Sequence, residues 1–198
     1  MKKRVAVTLF TLMMLLSACG ENTAQHADRV SAFYGSLSSY SAVASVTLDH
    51  GDYLTDYVLI HQFTENTHTV TVKEPLSMAG LTMTADGESL ELSFGDAVFL
   101  PQSLDGTGVT PVKLLPDMLS SLSSGNYEAI CLFTEEGRQL LSLSIWSEVD
   151  GDEFMHRITL DTETLLPVSA EVFFDGRSVM TAKFSESAAT ALPENDRQ

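Results

Sequence analysis

Residues 79–94 read AGLTMTADGESLELSF, and this stretch decides the fold class. In its first half, alanine, leucine and methionine alternate with glycine and threonine, and in its second half leucine and phenylalanine alternate with polar residues. Alternation with a period of two is typical of a strand with one buried face. The Asp86-Gly87 pair between the halves is a strong signal for a two-residue hairpin turn. The stretch therefore predicts two adjacent antiparallel strands.

The same pattern continues along the chain in both directions. Further strand-like runs cover residues 41–49, 53–64, 67–73, 128–134, 138–148, 153–160, 166–174 and 178–184. Turn signals separate them at Glu65-Asn66, Glu136-Gly137 and Asp175-Gly176. Strands joined by short turns, mostly without helices between them, predict an antiparallel sheet. A sheet of about ten strands must curl or close.

Two amphipathic helices are predicted to cover one face of this sheet. Residues 28–40 carry apolar side chains at three- and four-residue spacing, which predicts one helix. A second helix is predicted to follow Thr110-Pro111 and to end before Gly125. Pro116 lies inside it and is expected to divide it into two short pieces. The fold class is therefore α+β and mainly antiparallel β.

The N-terminus has the features of a secretory signal. Lys2, Lys3 and Arg4 precede an apolar run that is too short to span a membrane comfortably. The ending Leu16-Ser17-Ala18-Cys19 resembles the bacterial lipobox. That resemblance implies cleavage before Cys19, lipid attachment to its sulfur and acylation of the new N-terminus. The protein is thus expected to be an extracytoplasmic lipoprotein anchored to the cell membrane.

The chain divides into four predicted segments. They are a signal peptide at residues 1–18, a lipidated tether at 19–26, a folded domain at 27–186 and a disordered tail at 187–198. The 198 residues carry 11 Lys and Arg against 27 Asp and Glu, a formal net charge of −16. So acidic a chain has no basic surface for nucleic acid, and it would not adsorb to anionic lipid by charge alone.

Two stretches resemble the LolA/LolB-like lipoprotein carrier superfamily. The first is residues 70–75 together with 80–90, and the second is residues 158–161 together with 165–172. The order of lipobox, helix, strand meander, helical insert and second meander adds to the resemblance, which spans roughly residues 27–185. Some lipid-anchored members of this superfamily belong to a spore-germination lipoprotein branch.

The resemblance implies an eleven-stranded, incompletely closed barrel with helices on its concave face. It also implies a non-enzymatic protein that binds acyl chains or a lipidated protein in the cavity. The alternative is a module of the cell envelope with a filled core that binds a protein partner. One feature departs from the family. The soluble carrier of the family holds its helical lid with an arginine on an early strand, and residues 41–73 of this chain contain no arginine. An anchored acceptor or partner-binding protein therefore fits better than a diffusing shuttle.

The residues of the expected inner face could line a cavity or fill a core, and the sequence favours neither. They are Phe33, Tyr34, Leu37, Val46, Leu48, Tyr57, Leu59, Val72, Leu81, Met83, Leu143, Ile145, Val172 and Phe174.

No motif for a catalytic site, a metal site or a cofactor stands out. The nucleophile elbow G-x-S-x-G and the metal helix H-E-x-x-H are both absent from the sequence. If Glu65-Asn66 forms the turn, His61 and His68 share one sheet face as diagonal neighbours. They lack an evident third metal ligand, so ordinary strand histidines are expected. Cys131 lies in an apolar run and is expected to be a buried small hydrophobe.

Overall fold

The computed structural model describes residues 20–86, 89–99, 110–149 and 151–192. Two α-helices lie in these ranges, α1 at Gly20–Gly35 and α2 at Pro111–Ser121, with a short 3-10 helix at Leu76–Met78. No described helix has the length and apolar character needed to cross a membrane. The predicted signal peptide and Cys19 lie outside the described residues.

Eleven antiparallel strands form one sheet. They are β1 Leu37–Asp49, β2 Leu54–Thr64, β3 Thr67–Glu74, β4 Thr82–Ala85, β5 Leu90–Phe94, β6 Ala97–Phe99, β7 Ala129–Glu135, β8 Arg138–Val149, β9 Asp152–Asp161, β10 Pro167–Phe174 and β11 Arg177–Ala191. Their order in the sheet is β6-β5-β4-β3-β2-β1-β11-β10-β9-β8-β7. Because β6 and β7 do not pair with each other, the barrel stays open, which confirms the expected half-barrel.

The sheet consists of two meanders that meet at its centre. Strands β1 to β6 form the first and β7 to β11 the second, and β1 pairs with β11. The turn residues Glu65, Asn66, Glu136 and Asp175 all have positive φ angles. That geometry is what a two-residue hairpin turn requires, and it confirms the three turns predicted at these positions.

Helix α1 differs from its prediction at both ends. It begins at Gly20, inside the segment expected to be a tether, and it ends at Gly35 rather than at residue 40. The Ser36 hydroxyl hydrogen-bonds the carbonyls of Ala32 and Phe33 and closes the last turn. The residues that follow Ser36 pair with β2 and β11, and this pairing overrides the helical spacing of Leu37 and Tyr40.

Helix α2 is continuous through Pro116, so the prediction of two short pieces was wrong. Proline removes one backbone hydrogen bond, but the helix around it is held by packing. Leu114, Leu115, Met118 and Leu119 are all at most 3% exposed and lie in the hydrophobic core. Their burial stabilises the uninterrupted helix against the sheet.

Two further expectations differ from the structure. Cys131 is exposed rather than buried. Its neighbours Ile130 and Leu132 pack against the core, so the alternation of the edge strand β7 turns the thiol outward. Strand β11 continues to Ala191, which places residues 187–191 in the sheet although they were expected to belong to a disordered tail.

Gly125, which follows α2, has a backbone conformation that favours glycine, and its substitution tests how much this conformation matters for stability. Its φ angle is +71°, and a Cβ there would lie 3.2 Å from Oγ of Ser31, which donates to the Ser123 carbonyl. We expect Gly125→Ala to lower the free energy of unfolding by about 1–2 kcal/mol, because an L-residue is strained in this conformation. Urea denaturation measures the change. Gly35→Ala is the control, since a Cβ at Gly35 has no heavy atom within 4 Å. Equal effects of the two substitutions would contradict the prediction.

Candidate functional site

An apolar cavity of about 740 Å³ opens at one end of the half-barrel. Its wall comes from β1, β2, β3, β5, β10 and β11, the segment around Met78, and the first turn of α2. The apolar lining residues are Leu48, Tyr53, Tyr57, Leu59, Val72, Met78, Leu81, Leu92, Pro111, Val112, Phe174 and Val179. Ligand sites in proteins usually have volumes of about 300–1,000 Å³ and mostly apolar walls. The cavity has the size and lining of such a site.

One lining residue reaches the cavity through an irregularity in the sheet. Val172 pairs with Met180, but Phe173 pairs with Ser178. Val179 is therefore the extra residue of a β-bulge, a feature that changes the direction of a side chain. Met180 is buried in the core, and simple alternation would place its neighbour Val179 on the other face of the sheet. Val179 nevertheless lines the cavity.

The cavity has a polar rim formed by two hairpin turns. Asp49 ends β1 and is followed by His50 and Tyr53 in the β1–β2 turn, while Asp175 lies in the β10–β11 turn and Arg177 begins β11. The two turns are neighbours because β1 pairs with β11. The His50 and Tyr53 rings stack with their centroids 4.4 Å apart. We call these five residues the rim.

Most of the fourteen predicted inner-face residues line the cavity, lie in the core or do both, as Leu48, Leu59 and Val72 do. Leu48, Tyr57, Leu59, Val72, Leu81 and Phe174 line the cavity. Val46, Met83, Leu143, Ile145 and Val172 are at most 2% exposed and lie in the core. The half-barrel is thus filled along part of its length and hollow at one end.

The three aromatic and aliphatic candidates near α1 lie away from this cavity. The Tyr34 hydroxyl donates to the carbonyl of Leu165 at 2.8 Å, and burial raises the pKa of Tyr34 well above its usual value. Phe33 packs edge-on against Tyr34. Leu37 lines a separate, smaller cavity of about 290 Å³ beside His68 and Ser120. The Tyr34 hydrogen bond ties α1 to the segment that precedes β10.

A buried polar cluster fastens α2 to strands β8 and β9. Oδ2 of Asp117 lies 2.7 Å from Nε2 of His156 and accepts a 2.6 Å hydrogen bond from the Ser147 hydroxyl. The Ser147 oxygen also lies 2.7 Å from Nε2 of His156, which is fully buried. We call these three residues the clasp.

The clasp contains the residue types of a hydrolytic triad, but its geometry differs. In a triad the histidine uses one ring nitrogen for the serine and the other for the carboxylate. Here both partners contact Nε2, and Nδ1 of His156 is buried with no hydrogen-bond partner among the described residues. The arrangement holds the helix and does not activate the serine.

A second polar contact ties α2 to the opposite wall. Nε2 of His61 lies 3.1 Å from Nδ1 of His68, and Nε2 of His68 lies 3.5 Å from the Ser120 hydroxyl. His61 and His68 therefore share a face as the sequence predicted, and we call them the histidine pair. Burial and the adjacent His68 lower the pKa of His61 to about 3, and burial lowers the pKa of His68 to about 4.

A metal ion has no ready set of ligands in the described part of the chain. No group of three or more histidine, cysteine, aspartate or glutamate side chains there could hold one. In the histidine pair, one nitrogen of each ring already faces the other ring. Both histidines are therefore better explained as contacts between strands and helix.

Sequence reasoning missed the rim and the α2 contribution to the cavity. Val112 and Leu92 could have been found, because they follow the helical and strand periodicities of the sequence. Val179 could not, because a bulge leaves no alternation signal. Arg177 gave no signal either, since its place at the cavity depends on the pairing of the first strand with the last.

Comparisons with known proteins give matches at the level of structure. No family model matches the sequence, and no curated protein matches it. A LolA superfamily protein from Nitrosomonas europaea matches with 13% identity, 87% of this chain and 96% of that chain covered, and a TM-score of 0.42.

Two further solved structures have a similar arrangement. A putative outer membrane lipoprotein-sorting protein domain from Vibrio parahaemolyticus has 11% identity, coverage of 89% and 96%, and a TM-score of 0.47. The lipoprotein LppX from Mycobacterium tuberculosis has 9% identity, coverage of 85% and 96%, and a TM-score of 0.46. The likeness concerns the course of the chain and does not say what this protein binds.

Proposed function

We propose that this chain is a non-enzymatic envelope lipoprotein that binds an acyl chain, from a lipid or a lipidated protein, in the half-barrel cavity. The observation that carries the proposal is the apolar cavity of about 740 Å³ on the inner face of the sheet. Each methylene group that leaves water contributes about 0.8 kcal/mol. An acyl chain therefore gains enough affinity from such a wall without any polar contact.

The anchor belongs to the same proposal. Lipid on Cys19 would attach a strongly acidic domain to a membrane that its charge would otherwise avoid. More than one acyl chain makes such an attachment stable. Since α1 begins at Gly20, directly after Cys19, the folded domain would lie close to the bilayer. The cavity would then be within reach of membrane lipids.

Photolabelling of the anchored protein tests the proposal. The full chain is reconstituted into vesicles that contain a phospholipid with a photoreactive acyl chain, and the labelled peptides are mapped. We expect label in the peptides that carry Leu81, Leu92 and Val179. Val112→Trp should reduce that label about tenfold, because the indole takes the place of about two methylene groups of ligand. Leu92→Trp fills the cavity from a different wall and should act in the same way.

Val98→Trp is the matched control, since Val98 is 59% exposed on β6 and does not line the cavity. It should leave the labelling within about twofold of the wild type, a change of less than 0.5 kcal/mol. Thermal denaturation shows that each variant is folded. Label that never maps to cavity peptides would overturn lipid binding and would favour the alternative, an envelope module that binds a protein partner.

A further inference from the structure

The charged groups on the rim have a distinctive arrangement. Among the described residues that line the cavity, Arg177 is the one lysine or arginine, and Asp49 and Asp175 are the carboxylates. The three charged residues lie in or directly beside the two hairpin turns, while most of the apolar lining residues lie along the strands, around Met78 and at the start of α2. An amphiphile in this cavity would therefore have its chain among apolar side chains and its head group at these charges.

Arg177 and Asp175 both have exposed side chains. In the ranges that the structure describes, neither side chain has a hydrogen bond or an ion pair. Gly51, in the β1–β2 turn, has a φ angle of +91°. A Cβ at this position would lie 3.8 Å from a guanidinium nitrogen of Arg177. The guanidinium thus lies beside the β1–β2 turn, at the mouth of the cavity.

One carboxylate oxygen of Asp49 accepts a hydrogen bond within the protein. Its Oδ1 accepts a 2.7 Å hydrogen bond from the backbone nitrogen of Gly51, which fixes the carboxylate on the turn. The rim therefore presents one positive and two negative groups. A purely anionic head group would meet Arg177 but also both carboxylates, in the field of a chain with a net charge of −16. A head group with one negative and one positive charge could place its negative charge at Arg177 and its positive charge at the two carboxylates.

We propose that the cavity selects a zwitterionic amphiphile, with its phosphate at Arg177 and its ammonium group at Asp175 and Asp49. This inference rests on the proposed acyl-chain binding and adds the class of head group. The guanidinium offers a planar set of donors that suits phosphate oxygens. Asp175, two residues before Arg177, and Asp49, on the neighbouring hairpin, offer acceptors to an ammonium group.

Head-group competition in vesicles tests this inference. The full anchored chain is reconstituted into vesicles of an uncharged diacyl galactolipid, so that the bilayer itself supplies no competing phosphate or amine. A trace of photoreactive phosphatidylethanolamine or phosphatidylglycerol with identical acyl chains is added. We expect phosphatidylethanolamine to label the cavity peptides about fivefold more, the size of effect that solvent-exposed charge pairs produce.

Substitutions on the rim assign the effect to its residues. Arg177→Gln should lower the labelling by both phospholipids, whereas Asp49→Asn with Asp175→Asn should remove the preference by raising the labelling with phosphatidylglycerol. Arg157→Gln is the control for the arginine, because Arg157 lies on β9 and pairs with Glu171. Asp28→Asn is the control for the carboxylates, because Asp28 belongs to α1 and not to the rim.

The outcomes separate this inference from the proposed function. Equal cavity labelling by the two phospholipids, unchanged by the rim substitutions, would overturn head-group selection and leave acyl-chain binding standing. A preference for phosphatidylglycerol that depends on Arg177 would also overturn the zwitterion. Absence of cavity labelling with either lipid would overturn both proposals. A preference for phosphatidylethanolamine that survives Arg157→Gln and is lost with the rim carboxylates supports the inference.

Discussion

Asp117→Ala is expected to lower the free energy of unfolding by about 3 kcal/mol, because it removes the partner of a buried histidine. His156 is fully buried, and Oδ2 of Asp117 is shared between its Nε2 and the Ser147 hydroxyl. Without the carboxylate, both groups lose a partner in a place that water does not reach freely. The Asp117 side chain is 23% exposed, so the loss should lie at the low end of the range for buried pairs.

Urea denaturation of the wild type and the variant measures this effect. Asp117→Asn keeps an oxygen that can accept from Ser147 or His156, and we expect it to cost about 1 kcal/mol, as for a weakened hydrogen bond. Asp28→Ala serves as a control for the loss of a carboxylate on the other helix. Hydrogen exchange should be faster in α2 of the Asp117→Ala variant than in α1. A loss no larger than that of Asp28→Ala would contradict the role of the clasp.

Acidification from pH 7 to pH 4 is expected to remove about 3 kcal/mol of stability through His61 alone. The pKa of His61 is lowered to about 3 in the folded state, against 6.5 for an unperturbed histidine. Between these values the unfolded chain binds a proton that the folded chain does not, so stability falls as the pH falls. The stability that the neutral His61 preserves is fully present above about pH 6.5 and is lost progressively as the pH falls towards 3.

The histidine pair determines this pH dependence. Tyr40 packs against His61 edge-on, and Phe63 and Ser120 lie beside His68, so these described neighbours of the two rings are uncharged. His68 is only half-buried and adds a smaller share. Unfolding free energies of the wild type and His61→Phe, measured between pH 7 and pH 4, isolate the effect. The wild type should lose more stability than the variant, and parallel curves would contradict the prediction.

Ten of the eleven strands could be predicted from local signals, whereas the three-residue strand β6 is too short to give one. Alternation marks the buried face, and turn pairs such as Glu136-Gly137 adopt the positive φ angles that close a hairpin. The limits of α1 could not be predicted in the same way. Leu37 and Tyr40 fit a helical stripe, yet the ladder with β2 and β11 satisfies their backbone groups, and long-range pairing overrides the local period.

The candidate site was predictable only in part, for a physical reason. Alternation identifies inward-facing residues such as Leu59 and Leu143, but it does not say where helices end and empty space begins. Leu143 packs in the core and does not line the cavity, whereas Leu59 belongs to the core and also lines the cavity, to which α2 contributes Pro111 and Val112. Cys131 shows a related limit, since an apolar neighbourhood in the sequence does not identify which face of an edge strand meets solvent.

The central claim is that the hollow end of the half-barrel holds an acyl chain, and native mass spectrometry tests it most directly. The full anchored chain is purified in detergent micelles, and the detergent is removed in the gas phase. We expect a population that carries one additional phospholipid mass, which dissociates on activation and is absent from Val112→Trp but present in Val98→Trp. A bare protein mass for the wild type, unchanged after incubation with phospholipids, would contradict the claim.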